Sequence, residues 1–88
     1  MLYDMENRIK NVLKQKVKFR IDINEIKPDD NLLLLGMDSL STLKLVVDIE
    51  NEFKILFGDD DFIIDNFKTI NKLKEIIEKK LDKKENYE

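Results

Sequence analysis

Apolar side chains recur every three to four residues in separate segments of this 88-residue chain. That spacing places them along one face of an α-helix. It predicts helices over residues 2–16, 39–54 and 69–82. A turn at Gly58, followed by acidic residues that suit a helix N-terminus, predicts a shorter helix over residues 61–66. The one proline and both glycines fall outside these segments, so no strong helix breaker interrupts them. We therefore predict an all-α fold: a small four-helix bundle of three long helices and one short helix, in a single domain over residues 1–88.

The connection between the first two long helices carries a different pattern. Residues 17–24 alternate between apolar and polar side chains, which is the period of a β-strand. A lone short strand has no pairing partner in this chain, and an isolated pair of strands is marginally stable. We therefore predict a loop with some of its apolar side chains turned inward. Four consecutive leucines at residues 32–35 are predicted to seal one end of the helical core.

Charge and composition argue against several classes of partner. The net charge is −3, from 16 basic and 19 acidic residues, so no basic excess exists to bind nucleic acid or an anionic membrane. No apolar run approaches the ~20 residues of a membrane span. The N-terminal residues lack the basic and apolar regions of a signal peptide. We expect a cytoplasmic protein.

The sequence also predicts no catalytic centre of its own. It contains neither cysteine nor histidine, so thiolate chemistry is excluded and a serine nucleophile would lack its usual base. No residues stand at the spacing of a metal site. The three aspartates at residues 59–61 resemble the start of a calcium loop, but Ile70 then occupies the position of the bidentate glutamate. We expect neither a metal nor an enzyme.

The stretch Leu-Gly-Met-Asp-Ser-Leu at residues 35–40 lies between the leucine run and the second long helix. Gly36 allows the backbone to turn through angles that other residues resist. Asp38 suits the N-cap of the helix, because its carboxylate can accept from backbone N–H groups one turn later. Ser39 then lies in the first turn with its hydroxyl outward, where the helix dipole favours negative charge. A phosphate ester on Ser39 would be well placed electrostatically.

These residues resemble the attachment motif of acyl carrier proteins and peptidyl carrier domains. The likeness continues in Ile-Lys-Pro-Asp-Asp at residues 26–30, in residues 48–53 and in residues 66–70, and it covers roughly residues 9–81. The resemblance implies that Ser39, flanked by Gly36 and Asp38, receives a covalent 4′-phosphopantetheine arm from coenzyme A. The thiol of that arm carries acyl or aminoacyl groups as thioesters. The implied partners are a phosphopantetheinyl transferase and the enzymes that load and condense the cargo, and we expect a monomer.

The second long helix has two apolar stripes. Its wider stripe ends in Phe53 and is the better candidate for the core. The other lies roughly 140° away at 100° per residue and is called here the Leu40 stripe: Leu40, Leu43 and Val47. We predict that the Leu40 stripe stays exposed and, with Met37, forms a docking surface for enzymes that must reach Ser39. The alternative is ordinary surface apolar residues, or cover for the preceding loop.

The kind of carrier stays open in the sequence. Carriers of fatty-acid synthesis tend to have acidic residues soon after the serine, whereas this chain has Ser41 and Lys44. We therefore expect a polyketide, nonribosomal-peptide or aminoacyl pathway. One alternative is a housekeeping acyl carrier protein of fatty-acid synthesis. The other is a helical interaction module that is never modified and works through the Leu40 stripe alone.

Overall fold

The structure, a computed structural model, describes residues 2–86 of the chain, with burial given for residues 5–82. Its long helices are α1 (Leu2–Lys16), α2 (Ser39–Phe53) and α3 (Ile70–Asn86). Residues 17–22 are a loop and no strand occurs between residues 2 and 86, as predicted. The all-α class with three long helices is confirmed. No helix in this part of the chain is long and apolar enough to cross a membrane.

The short helix predicted over residues 61–66 is replaced by two 3₁₀ turns, Asp59–Asp61 and Ile64–Phe67. Between the turns Ile63 is extended, with φ −112° and ψ 131°. Polar side chains supply partners that an α-helix would otherwise provide: Asp61 Oδ2 accepts from the N–H of Gly58 at 2.7 Å, and Asn66 Nδ2 donates to the Asp61 carbonyl at 2.9 Å. These local bonds compete with helical hydrogen bonding, so the prediction of a fourth helix was wrong.

One continuous apolar core joins the three helices, with α1 packed against both α2 and α3. The wider stripe of α2 lies inside it, as predicted. The fully buried helix residues are Ile9, Leu13, Leu45, Ile49, Ile70, Leu73 and Ile77. Removing this apolar surface from water is the main source of stability for so short a chain.

The long connection between α1 and α2 is tied to the body of the protein by backbone hydrogen bonds. The Arg20 N–H donates to the Leu35 carbonyl at 2.8 Å, and the Leu32 N–H donates to the Lys68 carbonyl at 2.8 Å. Leu32 is fully buried, and Leu33 and Leu35 pack partly on the core. Leu34, in contrast, is 71% exposed. The predicted seal therefore uses only part of the leucine run, because consecutive side chains of a turn cannot all point inward.

The start of α3 confirms one further prediction from the sequence. The helix was predicted from residue 69 onward, and Thr69, immediately before α3, caps it: its Oγ1 accepts from the Lys72 N–H at 3.0 Å. In the segment before α3, Phe67 is buried, whereas Phe62 and Ile63 are about half exposed. Phe57 packs edge-on against Phe67, with ring centroids 5.8 Å apart.

Ionic contacts at the surface also join α1 and α2. The Arg8 Nε lies 2.8 Å from Glu52 Oε2, and its guanidinium lies 4.3 Å from the centroid of the Phe53 ring. Nearer to the start of α2, Lys16 Nζ lies 3.5 Å from Asp48 Oδ2. These contacts lie in the second half of α2, away from its first turn.

Candidate functional site

Gly36 makes the turn that precedes α2, with φ +129°. A Cβ atom at this position would lie 2.7 Å from the Lys18 carbonyl oxygen and 3.3 Å from Phe19 Cα. Both are backbone atoms, so no side-chain rotation relieves the contact. The sequence predicted the turn but not this close approach, which brings residues 18–20 beside the entry to α2.

Asp38 caps α2, as predicted. Its Oδ1 accepts from the Ser41 backbone N–H at 2.8 Å, and Ser41 Oγ accepts from the Asp38 N–H at 3.0 Å. This reciprocal pair is a capping box, with serine in the place more often taken by glutamate or glutamine. Thr42 adds a third bond, donating its hydroxyl to the Asp38 carbonyl at 2.6 Å. The sequence analysis missed the roles of Ser41 and Thr42, although a polar side chain three residues after an N-cap is the usual signal.

The same hydrogen bonds lower the pKa of the Asp38 carboxyl. The Ser41 backbone N–H, followed by the Ser41 hydroxyl, holds the pKa of the Asp38 carboxyl below its ordinary value of 3.8. The carboxylate is therefore ionised at neutral pH and weakly basic. It orders the helix start and is a poor acceptor for a hydroxyl proton.

Ser39 is the first residue of α2 and is exposed. Asp38 and Ser41 hydrogen-bond to each other and not to Ser39. No described residue hydrogen-bonds with the Ser39 hydroxyl. The hydroxyl is thus held at a fixed helix start and open to the surroundings. The helix N-terminus adds a favourable environment for an anionic group attached there.

The Leu40 stripe continues from Ser39 along the outer face of α2. Leu40, Leu43 and Val47 are 62%, 56% and 55% exposed, so the prediction that they face outward is confirmed. Met37, which we grouped with them as a partner contact, is only 3% exposed. Its N–H donates to the Leu32 carbonyl at 3.1 Å, and its side chain enters the core. Met37 therefore offers no contact surface in this structure, and that assignment was wrong.

Ser39 lacks the groups that would make it a nucleophile in its own right. The chain has no histidine, and the adjacent carboxylate is held by the helix cap. The described residues contain no group of three or more potential metal ligands. What the arrangement offers is an accessible hydroxyl beside an exposed apolar stripe, which another enzyme can approach and modify.

A small helical bundle with an exposed serine at the start of a helix is the arrangement that the carrier resemblance predicts. The chain belongs to the phosphopantetheine-binding carrier family: residues 7–77 match the family described as "Phosphopantetheine attachment site". Proteins of this family carry covalent 4′-phosphopantetheine, and they are carriers rather than catalysts.

Relatives of two kinds are similar along the chain. An acyl carrier protein of Desulforapulum autotrophicum is 32% identical over 77 residues, covering 86% of this chain and 96% of its own. One from Karelsulcia muelleri is 29% identical over 82 residues, covering 92% and 94%. A D-alanyl carrier protein of Streptococcus uberis is 35% identical over 57 residues, covering 65% and 72%.

A solved structure shares the fold. It is an engineered Bradyrhizobium japonicum glycine:[carrier protein] ligase complexed with a carrier protein from Agrobacterium tumefaciens and ATP. One of its chains aligns with a TM-score of 0.80 at 22% identity, covering 84% of this chain and 96% of that chain. The carrier assignment is confirmed, and acyl and aminoacyl carriers both remain among the relatives.

Proposed function

We propose that Ser39 is the residue that receives the 4′-phosphopantetheine arm. The single observation that carries this assignment is the geometry of the helix start: an exposed hydroxyl with no described hydrogen-bond partner, in the first turn of α2. The other serine, Ser41, is committed to the capping box with Asp38. The two hydrogen bonds of the Ser41 hydroxyl would have to break before it could be modified.

Each neighbouring residue has a supporting role in this proposal. Gly36 permits the tight entry, and a larger residue there would collide with the backbone of residues 18–20. Asp38 orders the first turn through Ser41 and so fixes the direction of Ser39. The N–H groups at the start of α2 favour the negative charge of a phosphodiester. When bound, the arm supplies the thiol that this cysteine-free chain lacks, and the thiol holds the cargo as a thioester.

We propose that the chain has no catalytic activity of its own. The lowered pKa of Asp38 makes this carboxylate an even weaker base than a free aspartate. Attachment of the arm therefore depends on a separate phosphopantetheinyl transferase, and loading depends on separate acyl- or aminoacyl-transferring enzymes. The exposed Leu40 stripe next to Ser39 is the proposed contact surface for these partners.

For the pathway, we propose polyketide, nonribosomal-peptide or aminoacyl synthesis rather than housekeeping fatty-acid synthesis. The D-alanyl carrier proteins among the relatives support an aminoacyl cargo, while the acyl carrier proteins keep the alternative open. The absence of acidic residues from the first turn of α2 favours the specialised pathways. We further propose that residues 1–88 act as one carrier domain, as a monomer and in the cytoplasm; size-exclusion chromatography tests the monomer.

Intact-mass spectrometry tests the attachment site. The parent protein, Ser39→Ala and Ser41→Ala are each incubated with coenzyme A, Mg²⁺ and a broad-specificity phosphopantetheinyl transferase. The parent should gain one phosphopantetheine and Ser39→Ala none. Ser41→Ala should still gain one, more slowly, because its helix start has lost the capping hydroxyl.

Two results would contradict the proposal. A gain on Ser39→Ala would place the arm elsewhere. No gain on the folded parent, with a second transferase and a known carrier as positive control, would favour an interaction module that is never modified.

A further inference from the structure

Three basic side chains without a described ion-pair partner lie near the start of α2 or on its second turn. Lys18, Arg20 and Lys44 are exposed, and none forms an ion pair with any residue in the described part of the chain. They are called here the basic rim. Exposed basic side chains usually add little stability through ion pairs within a protein. The side chains of the basic rim are therefore available for contacts with a partner.

The fold, rather than the sequence order, places two members of the rim near Ser39. The Arg20 N–H bonds to the Leu35 carbonyl at 2.8 Å, and the Lys18 carbonyl lies against Gly36. Gly36 precedes Ser39 by three residues, a span of at most about 11 Å. Lys18 and Arg20 therefore project from the segment that adjoins the proposed attachment site.

Lys44 flanks the Leu40 stripe on α2 itself. It stands four residues after Leu40 and three before Val47, so it shares a helix face with both. Its Cα lies about 7.5 Å along the axis from that of Ser39. The apolar stripe is thus bordered by positive charge on the helix and approached by positive charge from the loop.

The nearby acidic side chains are engaged in local contacts. Asp38 accepts from the Ser41 N–H, Asp48 pairs with Lys16, and Asp22 accepts from the Asn24 N–H at 2.8 Å. The first turn of α2 contains no acidic residue. A hydrogen bond from a neutral N–H leaves a carboxylate charged, so Asp38 and Asp22 still carry negative charge here. Although the whole chain carries a net charge of −3, the three basic side chains of the rim outnumber these two carboxylates, and the charge around this face is weakly positive.

We propose that the Leu40 stripe and the basic rim together dock enzymes whose contact face is apolar at its centre and acidic around it. This inference rests on the proposed carrier function, because the face matters through its position beside Ser39. The apolar centre supplies affinity, and the charges raise the association rate and select among partners. Enzymes that present a basic face would be disfavoured by like-charge repulsion at the rim.

Two synthetic helical peptides test the sign of the partner. Both carry a leucine stripe; one flanks it with glutamates and the other with lysines. Each is titrated into the full ¹⁵N-labelled protein, with and without its arm, and amide shifts are followed by NMR. At low salt the glutamate peptide should bind about tenfold more tightly, as expected for a few exposed ion pairs. The shifts should concentrate at residues 18–20 and 40–47, and about 0.5 M salt should remove most of the difference.

The matched variants carry equal changes in net charge. Reversal of the rim, by Lys18→Glu with Arg20→Glu and Lys44→Glu, should invert the preference between the peptides. The control reverses three lysines on α3, by Lys72→Glu, Lys74→Glu and Lys79→Glu, and should leave the preference unchanged. Circular dichroism verifies that both variants are folded.

Three outcomes would overturn the docking proposal: equal binding of the peptides, tighter binding of the lysine peptide, or shifts confined to another surface. Failure of the glutamate peptide to bind would also overturn it. The carrier function is judged separately, by the mass gain at Ser39, which does not depend on either peptide.

Discussion

Replacement of Gly36 by alanine should lower stability sharply, because two effects act at the same atom. The backbone at φ +129° is strained for any residue with a Cβ, at a cost of about 1–3 kcal/mol. The added Cβ would also lie 2.7 Å from the Lys18 carbonyl oxygen. To relieve that contact the 18–20 segment must move away from Leu35, which endangers the Arg20–Leu35 hydrogen bond, worth about 1 kcal/mol.

Together these effects predict a loss of about 2–4 kcal/mol in the free energy of unfolding. For a domain of this size, about 4–8 °C of melting temperature is lost per kcal/mol, so a fall of at least about 8 °C is expected. Thermal and urea unfolding, followed by circular dichroism, measure this loss. The rate of phosphopantetheine transfer, taken where the variant is still folded, should also fall because the start of α2 is displaced.

Gly58→Ala is the matched control, since these are the two glycines of the chain. Gly58 has φ −94°, which any residue adopts. A Cβ there would meet only Asp61 Oδ2, at an ordinary 3.7 Å. This variant should be as stable as the parent or more stable by about 0.4–1 kcal/mol, because alanine restricts the unfolded chain. If Gly36→Ala melted within a few degrees of Gly58→Ala, the close approach at Gly36 would be refuted.

Two further predictions concern α2. Leu45→Ala should lower the free energy of unfolding by about 2–5 kcal/mol, because Leu45 is fully buried. Leu43→Ala, in the exposed Leu40 stripe, should change it by no more than about 0.5 kcal/mol. Equal losses in urea titrations would contradict the assignment of the two stripes. Asp38→Asn should be less stable than the parent at neutral pH. The difference should shrink as pH falls below 3.8 and disappear below the lowered pKa of the folded protein, because a lowered pKa stabilises the fold only while the carboxylate is ionised. Thermal melts of both proteins across that pH range measure it, and a difference that persists in acid would show that the charge of Asp38 is not responsible.

Much of the fold and site follows from local spacing in the sequence. Each long helix has an apolar face that repeats every three to four residues, and this pattern acts within a few turns. The cap at Asp38 is also local, because the acceptor and the N–H groups that it bonds lie within three residues. The motif at residues 35–40, together with the similar segments at residues 26–30, 48–53 and 66–70, indicated the carrier family, and the family match over residues 7–77 confirms it.

Two other local features were not evident from apolar periodicity. The assignment of Met37 as a partner contact failed because the turn at Gly36 directs its side chain into the core. The short helix over residues 61–66 failed because Asp61 and Asn66 bond to nearby backbone groups, a choice that apolar periodicity does not reveal.

The sequence by itself therefore determined the helical faces, the cap of α2 and the serine at its start, since each depends on neighbours within one or two turns. Tertiary structure decided which apolar side chains are buried and how residues 18–20 approach Gly36. Burial depends on which surfaces meet, and α1 and α3 lie far from α2 along the chain. The apposition of Lys18 and Arg20 with the Ser39 region arises in the same way, so the positive charge beside the proposed attachment site emerges only in the folded protein.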